Sequence, residues 1–246
     1  MEMEIETCSN PETQQLNSSK ELFNALDKKD PSIFKSLSPT QLQKTLSFRN
    51  EDGRSLLHVA VSLNQTEVVK VMASVDGVAS VVNTTDEEGW APIHSAASIG
   101  NDDILDILLK IGADVNLKND GGRSALHYAA SKGWLKIAEI LISHNAKLNQ
   151  KDKVGCTPLH RAASTGNSSL SELLIEEGAE VDAVDRAGQT PLMSAVICEN
   201  KEVALLLIRH GADVDVEDKE GYTVLGRASP VLRPILIDAA KAMLEG

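Results

Sequence analysis

From Ser18 onward the apolar residues of this chain fall into short clusters at helical spacing, separated by polar stretches punctuated with glycine. Leu22, Phe23 and Leu26 form the first cluster and Ile33, Phe34 and Leu37 the second; Leu42, Leu46 and Phe48 then lead into a turn at Asn50–Gly53. Beyond it the clusters become regular: Val68, Val71 and Met72; Ile104, Ile107 and Leu108; Ile137, Ile140 and Leu141; Leu170, Leu173 and Leu174; Val203, Leu206 and Leu207. Each i, i+3, i+4 set predicts a helix with one buried stripe. Between them stand shorter segments that pair one large apolar residue with one alanine. These are Leu57 with Ala60, Ile93 with Ala96, Leu126 with Ala129, Leu159 with Ala162, Leu192 with Ala195 and Leu225 with Ala228. They predict a second, shorter helix per unit, whose alanine lets neighbouring helices approach closely. A glycine precedes each pair, at Gly53, Gly89, Gly122, Gly155, Gly188 and Gly221; the first interval is 36 residues and the other four are 33.

The stretch Lys151–Gly166 shows the unit in full. Gly155 permits positive φ in a tight turn. Thr157 caps the first helix by accepting an orphan backbone N–H, Pro158 follows at the position where a missing N–H costs nothing, and Gly166 ends the helix. Asn64 and Glu199 replace that last glycine in two units, and Ala91 replaces the Ser/Thr cap in another. The three extra residues of the longer interval fall around Val75–Val78, where a loop tolerates insertion. Near the end, Ser229-Pro230 cuts a first helix short, and Pro234 opens a final one carrying Ile235, Leu236, Ala239, Ala240 and Met243.

A period of 33 with the motif T-P-L-H-x-A resembles the ankyrin repeat. The motif is complete at Thr157–Ala162 and varied at Ser55–Ala60, Ala91–Ala96, Ser124–Ala129, Thr190–Ala195 and Thr223–Ala228. The resemblance implies an all-α repeat solenoid of seven ankyrin repeats, at about 18–49, 50–85, 86–118, 119–151, 152–184, 185–217 and 218–246. The first and last are degenerate caps, because a terminal repeat turns one face to water. The acidic, polar segment 1–17 is expected to be disordered.

Composition narrows the function. The net charge is −12, with 3% aromatics and no basic tract, which argues against nucleic acid. No run of 18 apolar residues is present, so no membrane span is expected. Cys8, Cys156 and Cys198 have no metal-ligand spacing and fit a reducing compartment. His58, His94, His127 and His160 invite a metal or catalytic reading, but all four occupy the same motif position. Stacking would spread them about 8–10 Å per repeat, so each is expected to bridge its own unit to the backbone of a neighbouring turn. No GxSxG, HExxH, P-loop or GxGxxG motif occurs. No enzyme activity, cofactor or metal is expected.

The residues that the motif leaves free carry the functional signal. On the concave face, built from turn tips and first helices, Arg54, Trp90 and Arg123 follow successive turn glycines; Tyr128 and Arg161 follow the motif histidines. The tips add Glu51, Asp52, Glu87 and Glu88. Arg, Trp and Tyr are the types enriched at binding hot spots, so this face is expected to hold a protein partner, with the chain itself monomeric.

Several stretches, GRSLLHVA (Gly53–Ala60), EGWAPIHSAASIGNDDI (Glu88–Ile104), SALHYAASK (Ser124–Lys132), LHRAA (Leu159–Ala163) and MLEG (Met243–Gly246), resemble the gankyrin-like ankyrin-repeat proteins. These are non-ATPase subunits associated with the 26S proteasome regulatory particle. The resemblance implies an assembly chaperone, cytoplasmic and nuclear, that holds the C-terminal domain of a base ATPase subunit in its concave face. It implies that role for Arg54, Trp90, Arg123 and Arg161. Met193 and Gly226 stand where the family's motif has histidine. The alternative is a signalling scaffold or kinase-inhibitor-like adaptor with a different client.

Overall fold

The computed structural model describes residues 19–244; the acidic segment expected to be disordered lies outside them. The chain is an all-α repeat solenoid. Each regular unit is a turn, a short inner helix and a longer outer one. The inner row is α4 (Leu56–Ser62), α6 (Pro92–Ile99), α8 (Ala125–Lys132), α10 (Pro158–Thr165), α12 (Pro191–Ile197) and α14 (Val224–Arg227). The outer row is α5 (Thr66–Ala73), α7 (Asp102–Lys110), α9 (Leu135–Ser143), α11 (Ser168–Glu176), α13 (Lys201–Arg209) and α15 (Leu232–Leu244). At the N-terminal end α1 (Ser19–Asp27) closes the inner row on α4; α2 (Ser32–Ser36) packs against α5, and α3 (Pro39–Thr45) completes the cap.

The core follows the two rows. The motif alanines Ala60, Ala96, Ala129, Ala162 and Ala195 are fully buried, as are Leu57, Ile93, Leu126, Leu159 and Leu192. Burying each of these larger side chains contributes about 1.5–3 kcal/mol. Leu225 differs and is only half-buried: among the described residues no further inner helix packs against α14.

The outer helices correct the expected stripe. Val71, Ile107, Ile140 and Leu173 are half-buried, whereas Val69, Leu105, Ala138, Ser171 and Ala204 are buried. An outer helix is flanked by a neighbour on each side and by its own inner helix beneath. The covered arc therefore centres on i, i+1 and i+4, with the i+3 residue only partly covered except in α13, where Leu206 is buried as expected. Met243, expected on the apolar side of α15, is 47% exposed. The insertion after α5 is not a bare loop. It winds a 3-10 turn at Val78–Ser80, with Gly77 at φ 89°, and tucks Val75, Val78 and Val82 against the stack.

Three hydrogen-bond rows tie unit to unit. The motif histidines form the first. Each Nδ1 accepts the backbone N–H of the helix N-cap: Ser55 to His58 at 3.2 Å, Ala91 to His94 at 2.9 Å, Ser124 to His127 at 3.2 Å and Thr157 to His160 at 3.1 Å. Nε2 reaches a carbonyl of the next unit for His58 (Trp90, 3.0 Å), His127 (Cys156, 3.1 Å) and His160 (Gln189, 3.0 Å), whereas His94, against expectation, bonds Leu117 O of its own unit at 2.8 Å. A carbonyl only accepts, so Nε2 carries the proton and the ring is neutral. Burial, the largest influence, pushes all four below the usual histidine value, His58 and His127 to about 4.

The residue after the inner-helix terminus makes the second row. Asn167 Nδ2 donates to Ala130 O at 2.9 Å, Asn200 Nδ2 to Ala163 O at 2.8 Å and Trp134 Nε1 to Ser98 O at 3.2 Å. The turn tips make the third. The backbone N–H of Glu87 donates to Asp52 O, Asp120 to Glu88 O, Lys153 to Gly121 O, Arg186 to Val154 O and Lys219 to Ala187 O, over 2.9–3.2 Å.

Candidate partner-binding face

The concave face is set by its turns. At each turn opening, an Asp or Asn side chain accepts the backbone N–H four residues on, and at every opening except Asn119 also the one two residues on. Asp86 Oδ1 takes Glu88 N at 3.1 Å and Trp90 N at 2.8 Å; Asp152 Oδ1 takes Val154 N and Cys156 N, both at 3.0 Å. These Asx-type bonds fix the direction in which Arg54, Trp90, Arg123 and Cys156 leave the main chain.

Trp90 is half-buried and its ring lies 4.5 Å from that of Tyr128, tilted by 41°. Both rings stand edge-on to His94 behind them, at 6.1 and 6.2 Å. The Tyr128 hydroxyl accepts from Asn119 Nδ2 at 2.7 Å, and burial raises its pKa above the ordinary tyrosine value. The pair forms a rigid aromatic step in the floor.

The arginines beside this step are engaged. Arg54 Nε lies 3.4 Å from Asp86 Oδ2 of the next turn, without the alignment of a hydrogen bond, so this buried nitrogen has no hydrogen-bond partner. Arg123 Nε lies 3.7 Å from Asp152 Oδ2, and Arg161 Nη2 pairs with the same oxygen. Two guanidinium groups therefore face one carboxylate whose side chain is 1% exposed. Burial pushes the Asp152 carboxyl up, but Arg161 and the turn N–H donors outweigh it and hold it below the usual carboxylate range. Arg161 Nε is also buried without a hydrogen-bond partner.

Glu51, Asp52, Glu87 and Glu88 are exposed at the tips. Asp52, Glu87 and Glu88 join Arg54, Asp86 and Trp90 around a groove of 420 Å³. Glu51 and Asp52 also border a second groove of 620 Å³ against α1, which Phe23, Arg49 and Val59 help to line. The structure thus brings Arg54, Trp90, Asp52, Glu87 and Glu88 together at one groove and leaves Glu51 to the other; Tyr128 joins Trp90 over the Asn119 turn, and Arg123 and Arg161 meet at Asp152. Sequence reasoning passed over Asp86 and Asp152 as partners of the arginines. Their signal was the Asp that opens each turn, three residues before the glycine.

Among the described residues no group of three or more His, Cys, Asp or Glu is placed to hold a metal ion, and no helix is long and apolar enough to cross a membrane. Cys156 is half-buried and burial raises its thiol to about 11; Cys198 is exposed and Cys8 lies outside the described residues.

The model of ankyrin repeats in three copies matches residues 22–119, 111–185 and 170–240. Among curated proteins, the chain is 38% identical over 66 residues to the 26S proteasome non-ATPase regulatory subunit 10 of Dictyostelium discoideum, covering 27% of this chain and 28% of that one. It is 41% identical over 59 residues to an ankyrin repeat-containing protein of Schizosaccharomyces pombe, covering 24% and 27%. It is 39% identical over 70 residues to human protein phosphatase 1 regulatory subunit 27, covering 28% and 44%. The aligned stretches span less than half the length of each of these relatives.

Proposed function

This chain belongs to the ankyrin-repeat family, a protein-interaction scaffold rather than a catalytic module, and on that footing we propose that its concave face holds the C-terminal domain of a proteasome base ATPase during assembly of the regulatory particle. The likeness to the Dictyostelium subunit supports the choice of partner. The observation that carries the proposal is the Trp90–Tyr128 step beside Arg54 and the acidic tips. An apolar ridge of the partner packs on the step. Carboxylates on one flank of that ridge meet the Arg54 and Arg123 guanidiniums, whose pairing with Asp86 and Asp152 leaves donors over. Basic residues at the rim meet the tips.

The test is titration calorimetry with a purified ATPase C-terminal domain. Trp90→Ala is expected to weaken binding by about 2 kcal/mol or more, the hot-spot range, with the thermal midpoint little changed. Arg54→Gln suits the same purpose better than Arg54→Glu, which sets a second carboxylate against Asp86. Wild-type affinity in both variants removes the concave face as the interface. The second reading, a signalling scaffold, is favoured by the alignment to the phosphatase subunit; co-purification with a phosphatase in place of proteasome ATPases would establish it.

A further inference from the structure

One residue past each turn-opening Asp or Asn, the chain carries Glu51, Glu87, Asp120, Lys153, Arg186 and Lys219. All six are exposed. None of them forms a salt bridge with another described residue. Their backbone belongs to the tip row already described, in which each N–H from Glu87 onward bonds the tip before it. The six side chains therefore stand in register along one edge of the concave face, held by main chain. The sign changes once along the row, from three acids to three bases. Asp52 and Glu88 reinforce the acidic half; on the basic half Glu220 is occupied by Arg227 at 2.8 Å.

We propose that this row is a charge-split rail that fixes the direction of an elongated protein partner lying along the concave face. The partner's basic end lies over Glu51, Glu87 and Asp120, and its acidic end over Lys153, Arg186 and Lys219. The inference rests on the concave face being the binding face, not on the partner being an ATPase. At about 8–10 Å per unit the row spans about 40–50 Å, several times the Debye length of about 8 Å at physiological salt. Each tip therefore acts on the part of the partner nearest to it, and the two halves act separately. A partner seated the right way round meets six attractive tips; the same partner reversed meets six repulsive ones. A uniform polyanion such as nucleic acid meets repulsion over half the row, so the split selects a protein with separated charge. Exposed charges of this kind set orientation and association rate more than affinity.

The direct probe is a helical peptide with a lysine-rich half and a glutamate-rich half, carrying a nitroxide at one end or the other. Bound to the full chain at low salt, a label on the lysine end is expected to broaden the amide signals of Glu51 and Glu87. A label on the glutamate end is expected to broaden those of Arg186 and Lys219. In the variant E51K/E87K/D120K/K153E/R186E/K219E the two patterns should exchange. Broadening that ignores the labelled end, or that does not move in the exchanged variant, overturns the rail. A second arm uses the ATPase C-terminal domain. If it binds the wild type, K153E/R186E/K219E should slow its association about tenfold at low salt and much less at high salt, as steering requires. An unchanged rate overturns the rail. A domain that does not bind the wild type removes the ATPase reading instead, and the peptide arm still decides the direction.

Discussion

The units that open at Asp152 and at Asp218 start alike and end differently. Both turns close on their aspartate: Asp218 Oδ1 accepts Glu220 N at 2.9 Å and Tyr222 N at 3.1 Å, as Asp152 does in its own turn. Both pair that aspartate with an arginine nine residues on, Arg161 in one and Arg227 in the other. Both cap the inner helix with threonine. Yet α10 runs for 8 residues and α14 for only 4. His160 joins Thr157 to Gln189 of the following unit, whereas Gly226 has no ring with which to make such a bridge. Arg227 instead covers the exposed Tyr222 ring at 4.4 Å. The turn is built alike in both units, whereas the inner helix without the histidine bridge stops at Arg227, and Ala228 turns extended ahead of Ser229-Pro230.

Acid pH should open that contrast widest. A buried neutral histidine binds fewer protons folded than unfolded, so its contribution is present above about pH 6.5 and is lost as pH falls toward the folded value of about 4. At pH 5 the cost is about 2 kcal/mol each for His58 and His127 by linkage, with His94 and His160 adding in the same direction. Urea midpoints at pH 7 and pH 5 measure it. Amide exchange should show units 50–184 losing protection before unit 185–217, where Met193 replaces the histidine. A flat midpoint over that range would mean that the rings are not neutral bridges.

Next in size is a pair of substitutions at one motif position. His160→Ala leaves Thr157 N without its acceptor in a buried site, while Gln189 O keeps the Asp185 N–H at 3.0 Å, and should cost about 1–3 kcal/mol for the one orphaned group. Gly226→Ala should have the opposite sign, a gain of about 0.5–1 kcal/mol. A Cβ there meets nothing nearer than 3.5 Å, and Gly226 is not among the glycines at positive φ. Chemical denaturation of the two variants decides whether the bridge or the motif position matters. Glu199 sits at φ 59°, so Glu199→Gly should gain up to about 1 kcal/mol, reduced by loss of its exposed contact to Ser229 at 3.1 Å. A clear loss in the same measurement would assign more weight to that contact. Smallest is Ala91→Ser. The Ala91 N–H already bonds His94, and the His94 N–H bonds Ala91 O at 3.0 Å. The restored cap should therefore add only about 0.5 kcal/mol, the low end of cap values, read as a small rise in thermal midpoint.

What could be read from the sequence was whatever each unit states about itself. The glycine spacing, Thr157 as cap, Gly166 as terminator and the bridging role of His160 are local or repeated, and the structure carries all of them. Positive φ at Asn64 and Glu199 followed from their place in the repeat. What escaped depended on the neighbour. Val69 and Leu105 are buried in place of Val71 and Ile107 because two flanking helices widen the covered arc. Arg54 and Arg123 looked unengaged because the carboxylates that face them belong to the next turn, 32 residues ahead of Arg54 and 29 ahead of Arg123. The valines after α5 read as an insertion because nothing in a periodic pattern shows that a departure from it is packed.

The side-chain and tip rows also have a direction in time. Asn167, Asn200, Trp134 and the tip amides all donate backwards, to carbonyls of the unit before. A chain leaving the ribosome N-terminus first presents those acceptors before their donors are made. Each emerging unit therefore meets a finished template, and the array can lengthen by accretion from its N-terminal cap, without waiting for the far end. The histidine bridges to Trp90, Cys156 and Gln189 look forward instead, as do Arg54 toward Asp86, Arg123 toward Asp152, and the Lys118 and Lys151 ammoniums, which donate to Lys151 O and Val184 O; these are closed by the arrival of the next unit.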